Sequence, residues 1–293
     1  MKSIWVVGEA LIDLVYKVGT RTAHVGGGPA NTAKALARLG FSSFFVGGIS
    51  SDEYGSLIEK ELKDSGVDLS LVVLGSKPTA LANAVIDQKG VASYSFELEG
   101  TITFDFSSSW LPSEKPAVVH VGSVATLVEP GASELLSWVK GLSVPVVFDP
   151  NVRPSILGDK NLYRAAVERW VAAASVVKLS DEDLSWLYGE DEAGVVKRWL
   201  SDGVSVVVVT RGSAGLRGFF GDVVIDVPAV SVELVDTVGA GDTIGAVVVE
   251  GVVKHGLAGL GANLDSVLRR AALAASITCS RAGANPPWAT ELA

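Results

Sequence analysis

The chain has 293 residues, 48% of them hydrophobic and 19% charged, which fits the packed core of one large α/β domain and not a disordered chain. A net charge of −9 repels polyanions and argues against nucleic acid or an anionic membrane as partner. Cys279 is the only cysteine, so no intrachain disulfide forms, and a reducing compartment, the cytoplasm, is expected.

Taken in chain order, the apolar run Ile4–Val7 is cut short by Glu9 and Asp13 and reads as a buried first strand, not a secretory leader. Later apolar stretches are interrupted by Asp242, Glu250 and Lys254 before they reach the ~20 residues that span a bilayer. Further strands are expected at Ser43–Val46, Val118–Val121, Val144–Phe148, Val176–Lys178 and Val204–Val209. Between them, helical periodicity covers Pro29–Leu39, Tyr54–Ser65, Ala132–Lys140, Leu162–Ala173, Ala193–Leu200, Gly241–His255 and Leu264–Arg281. This alternation implies βαβ crossovers and a mainly parallel sheet covered on both faces. Residues 71–106 break the rhythm with strand-like patterning, Tyr94, Phe96, Leu98 and Ile102 alternating with polar positions. A small β insertion is expected there, either a lid over a site or an arm for dimer packing.

Two glycine clusters stand at helix starts. Gly26-Gly27-Gly28-Pro29-Ala30-Asn31 allows close approach of a ligand to the backbone and projects Asn31 from the first turn. Read alone, it is an ordinary glycine turn with a cap. Asp13 follows the first strand, where open α/β sheets bind ligands, but alone it would pass as a solvated turn carboxylate. Asp236-Thr237-Val238-Gly239-Ala240-Gly241-Asp242 precedes an apolar helix, so the small residues can turn their N–H groups toward a phosphate. Asp242 beside such a cradle suits a general base, or a carboxylate acting through Mg²⁺; in isolation it reads as a helix cap. No GxxxxGK[ST] is present, and Ile244 occupies the third position that GxGxxG would need, which disfavours a dinucleotide fingerprint.

With both clusters in place, the chain resembles the ribokinase-like (PfkB) carbohydrate kinases over nearly its whole length, and most closely the fructokinases. The resemblance implies one domain over 1–293, an α/β three-layer sandwich with a mainly parallel central sheet, and a small β-sheet lid inserted from about 14–24 and 71–106. It implies Asp242 as catalytic base and Gly239, Ala240 and Gly241 as the anion hole. Asp13, Gly27, Gly28 and Asn31 match sugar-binding positions, joined by Phe96 in the Phe96–Thr101 stretch and by Asn151 and Arg153 of Asp149-Pro150-Asn151-Val152-Arg153. Arg153 is expected to clamp a carboxylate or to steady the ATP phosphates. Lys178 and Ser180, the Thr210-Arg211-Gly212-Ser213-Ala214-Gly215 turn (Thr210, Gly212, Gly215), and Ala272, Ala275 and Ser276 match the nucleotide side. Asp183 is the implied Mg²⁺ position, and Asp236 with Val238 that of a monovalent cation such as K⁺. The chain departs from the family pattern at Ser50-Ser51, which replaces a glycine-aspartate pair. It departs again at Ser180, Asp183, Val247 and Ala272, where Asn, Glu, a small residue and a polar residue are common. The implied activity is transfer of the γ-phosphoryl group of ATP to a ketose, fructose first, by a homodimer paired through the lid. A keto-acid sugar, ribose or a nucleoside is the rival substrate, and a non-catalytic sugar or nucleotide sensor the rival class.

Overall fold

The computed structural model describes residues 2–17, 20–86 and 92–292. In chain order its strands are β1 (Ser3–Val7), β2 (Leu11–Lys17), β3 (Thr20–Gly26), β4 (Ser42–Val46), β5 (Gly48–Ser50), β6 (Val73–Gly75), β7 (Leu81–Ile86), β8 (Ala92–Glu97), β9 (Val118–Gly122), β10 (Val146–Asp149), β11 (Val176–Ser180), β12 (Val206–Thr210), β13 (Leu216–Phe220) and β14 (Val223–Val227). The helices are α1 (Gly28–Arg38), α2 (Glu53–Asp64), α3 (Gly131–Leu142), α4 (Lys160–Val171), α5 (Asp181–Tyr188), α6 (Glu192–Ser201), α7 (Ala240–Leu260) and α8 (Leu264–Cys279).

The central sheet has the order β14-β13-β12-β11-β10-β9-β1-β4, parallel from β4 to β12 and closed by an antiparallel β12-β13-β14 edge. Its inner parallel strands are buried on both faces, which is why Val206–Val209 can be a run of four valines. Ile4, Val6, Val147, Val176 and Val208 point to the layer of α1, α2, α7 and α8. Val7, Val119, Val121, Phe148 and Val207 point to the layer of α3–α6. That makes the expected three-layer sandwich. The second layer is stiffened by aromatics: Trp170 is 2% exposed, stacks on Phe148 at 5.9 Å and donates its indole N–H to Thr126 O at 3.0 Å.

The strand-like stretch divides into two. β7 and β8 join β2 and β3 in a four-stranded sheet of order β3-β2-β7-β8, whereas β6 pairs with β5 in a separate two-stranded ribbon. Ile102, Phe104 and Phe106 are buried in or beside the main core, in and just after a short 3₁₀ turn at Ile102–Phe104. The small sheet thus begins at Leu11 and ends at Glu97. Positions 18–19 and 87–91 of the expected insertion, and the side chain of Tyr94, lie outside the described residues.

Ala240–Cys279 is long and apolar enough by composition to cross a membrane, yet 61% of its most apolar window is buried within the domain. It is two core helices, α7 and α8, and α7 itself is interrupted at Gly256, with φ 67° and ψ 169°.

Candidate active site

The carboxyl ends of the parallel strands and the N-termini of α1 and α7 converge on one cleft. α1 starts after Gly27, whose φ of 103° and whose missing Cβ, which would lie 2.5 Å from Glu9 O, both require glycine. At Gly28 space decides: a Cβ would lie 2.8 Å from Asn151 Nδ2 and 3.2 Å from Asp242 Oδ1. These contacts place Gly28, Asn151 and Asp242 against one another although they lie far apart in sequence.

Asp242 lies in the first turn of α7 and is 9% exposed. Asn31, one turn into α1, donates its Nδ2–H to Asp242 Oδ2 at 2.9 Å, while its own Oδ1 is buried and has no partner. Burial pushes the Asp242 carboxyl up to about 6; Lys178, the Asn31 hydrogen bond and Arg153 pull it back, and Asp149 adds to the rise. The carboxylate is therefore poised between acid and base near neutral pH.

α7 begins at Gly239, whose φ of 78° suits glycine and whose Cβ would lie 2.7 Å from that of Ala284. The N–H of Ala240 turns back to Thr237 O at 3.3 Å, whereas those of Gly239 and Gly241 have no partner among the described residues. Behind Gly241, Lys178 Nζ is 2.7 Å from Asp149 Oδ2 in a buried pair. Asp149 and Lys178 can pair because both project from adjacent strands on the α7 face.

Asp13 is half-buried on β2, in one cross-strand row with His24, Ala82 and Phe96. Burial raises its pKa, opposed by the charges of Arg153 and His24. Arg153 also lowers the pKa of Asp242, so its charge reaches both carboxylates. It is exposed, and it donates to Val152 O at 2.9 Å and Asn151 O at 3.3 Å. Asn151 itself is held at φ 41°, which turns the chain after β10 into the cleft.

On the far side of the α7 N-terminus is a cavity of ≈ 710 Å³, lined among others by Ser180, Thr210, Gly212, Gly215, Ala240, Gly241, Ala272, Ala275 and Ser276. Of the eight residues assigned to the nucleotide side, only Lys178 does not line it, since it sits beneath Gly241. The sequence reading missed the opposite wall, Ala229, Val230, Ser231, Val232 and Leu234. The signal for it is an apolar run just before the second glycine cluster that neither a helix nor a strand absorbs: Val230 and Val232 are 41% and 39% exposed and Leu234 65%.

Asp183 does not open toward the cavity. Its Oδ1 accepts from Val152 N at 3.1 Å and its Oδ2 from Ser180 N at 3.2 Å, in a capping box that fixes the 151–153 loop to α5. Asp236 accepts from Val238 N at 3.1 Å and Gly283 N at 2.8 Å, tying the α7 loop to the C-terminal turn. Among the described residues no group of three or more His, Cys, Asp or Glu converges as a metal site.

A buried carboxylate thus stands where a glycine-rich helix start meets a cavity of ≈ 710 Å³, at the carboxyl ends of a parallel sheet, the place where open α/β sheets bind ligands. The pfkB family carbohydrate kinase profile matches residues 1–291, and the chain belongs to that family. It is 36% identical over 250 residues to a fructokinase of Rhizobium leguminosarum bv. trifolii, covering 82% of this chain and 76% of that one. Its fold matches a fructokinase of Xylella fastidiosa with bound ATP at a TM-score of 0.90 and 26% identity, covering 99% of this chain and 96% of the other. A fructokinase of Vibrio cholerae O395 in its fructose, ADP and calcium ion bound form matches at 0.84 and 27% identity, over 100% and 96% of the two chains.

Proposed function

We propose that the protein phosphorylates fructose with ATP in the cytoplasm. The observation that carries this reading is the position of Asp242, buried, hydrogen-bonded to Asn31 and placed between the nucleotide-sized cavity and the cleft under Asp13. The sugar rests on Asp13, Gly27, Gly28 and Asn31. The unpartnered Asn31 Oδ1 accepts from one sugar hydroxyl, and Phe96 and Asn151 border the ring. Asp242 takes the proton of the attacking hydroxyl as its oxygen bonds to the γ-phosphorus, and the bond to the β-phosphate oxygen breaks to release ADP. The free amides of Gly239 and Gly241 receive the phosphoryl oxygens, with Arg153 offsetting their charge.

Mg²⁺ neutralises charge on the ATP phosphates when bound. Asp181 and Glu182, which line the cavity, are oxygen donors suited to such a hard cation or to its waters. Asp183 supports them through the capping box. Asp236 and the Val238 carbonyl are the place for K⁺. The small sheet acts as a lid, and its β3 strand, exposed over Thr20–His24, is the surface through which two copies pair.

The test is ADP release by the purified protein with ATP, Mg²⁺ and a panel of ketoses, aldoses, sugar acids and nucleosides. Turnover led by fructose is expected. Turnover led by a sugar acid would assign Arg153 to a substrate carboxylate, turnover led by ribose or a nucleoside would replace fructose as the substrate, and no ATP consumption with any member would favour a sensor.

A further inference from the structure

Lys34 lies in the middle of α1, is 1% exposed, and is among the largest fully buried side chains of the molecule. Its ammonium donates to Glu61 Oε1 of α2 and to Ala284 O of the C-terminal turn, the latter at 3.0 Å. Glu61 keeps part of its side chain in water, whereas Lys34 is enclosed. A cation so buried seldom repays its desolvation in stability, so its presence inside α1 asks for another reason. One turn further on, Arg38 donates to Asn285 Oδ1 at 2.6 Å and to Pro286 O at 2.8 Å. Two cations of one helix thus grip residues 284–286.

The gripped turn is also the support of the α7 start. The Cβ of Ala284 lies 2.7 Å, and its Cα 2.9 Å, from where a Cβ on Gly239 would stand, so Gly239 is seated directly on the residue that Lys34 holds. The next residue back, Gly283, donates its N–H to Asp236 Oδ2 at 2.8 Å, and Cys279 O accepts from Val235 N and Asp236 N at 2.9 and 3.2 Å. Asn31, one turn before Lys34, donates to Asp242. Successive turns of α1 therefore reach the buried carboxylate and the seat of the glycines that precede it.

Building on the kinase reading, we propose that Lys34 is a positioning residue for phosphoryl transfer: through Ala284 O it fixes the C-terminal turn under Gly239 and so holds the Gly239 and Gly241 amides in register with Asp242. Lys34 touches neither substrate. Its hydrogen bond sets where the amides stand relative to a carboxylate that Asn31 fixes from the same helix, so the two halves of the site share one rigid support. A misplaced amide weakens what it gives the transferring group and leaves the sugar contacts of Gly27, Gly28 and Asn31 as they were. The loss therefore belongs in kcat and not in the fructose KM.

The test compares Lys34→Met with Arg38→Met, which loosens the same turn beyond Ala284. Both are read by Tm, by kcat and KM, and by hydrogen–deuterium exchange of residues 235–241, where Val235, Asp236, Val238 and Ala240 have hydrogen-bonded amides. Lys34→Met keeps the length of the side chain and leaves Glu61 free to turn to water. It is expected to lower kcat by about 10–10²-fold with the fructose KM nearly unchanged, and to quicken exchange across 235–241. Arg38→Met is expected to lower Tm as much while kcat stays near-parental. Near-parental kcat in Lys34→Met, equal kcat losses in the two variants, or a kcat loss without quicker exchange at 235–241 would each overturn the proposal. Should Lys34→Met not fold, Lys34→Gln, polar but one bond short of Ala284 O, is read in the same way. An inactive parent protein would instead overturn the kinase reading itself.

Discussion

At the residue scale the proposed chemistry turns on one carboxyl, that of Asp242. Because burial raises Asp242 to about 6, turnover should climb as pH rises through that value, and an initial-rate profile checks this. Asn31→Ala removes the hydrogen bond that favours the ionised form, so the acid limb of kcat/KM should move to higher pH while the fructose KM rises. Linkage gives a second outcome. The folded pKa lies above the ordinary value of 3.8, so ionising Asp242 costs stability. The cost is absent below pH 3.8, grows between 3.8 and about 6, and is complete above that. Asp242→Asn should therefore melt higher than the parent at pH 7.5, by up to about 3 kcal/mol, and show no gain near pH 4. The glycine motifs were legible as helix starts because the backbone leaves so few alternatives to glycine there. Asp149 was read only as a neighbour of Arg153, since a pairing between adjacent strands has no mark in sequence spacing.

At the element scale the N-termini of α1 and α7 are the working parts. Gly28→Ala should cut turnover sharply with a small loss of stability, because its methyl would press on Asn151 and Asp242. Gly239→Ala should cost about 1–3 kcal/mol in chemical denaturation, since both its φ and its contact with Ala284 resist a side chain. Long helices with a clear apolar period were legible from the sequence to within a residue or two, except that α7 runs five residues past the expected His255, beyond its break at Gly256. The short acidic helix α5 was not, because Asp181-Glu182-Asp183 hides its period. The β13–β14 hairpin was also missed, although Gly221-Asp222 between two apolar runs is a hairpin signal. Residues 102–106 were taken with the insertion because their apolar residues, buried in the main core, alternate as a strand would.

At the scale of the whole molecule, the fold brings the glycine motifs at residues 26–31 and 236–242 together through α1–α7 packing, with the small sheet on one side and the ≈ 710 Å³ cavity on the other. The alternation of strands and helices was enough to expect this sandwich, whereas the pairing of β6 with β5 depended on tertiary contacts. Ligand linkage should be visible in melting: ATP with Mg²⁺ at about 100 times its Kd should stabilise the fold by about 2.7 kcal/mol, and Asp242→Asn should respond alike.

The most direct test of the account is the turnover of Asp242→Asn measured beside its ATP-induced rise in Tm. The account predicts an unchanged rise and a kcat about 10²–10⁴-fold below the parent. A variant that binds ATP and turns over at a near-parental rate would contradict it.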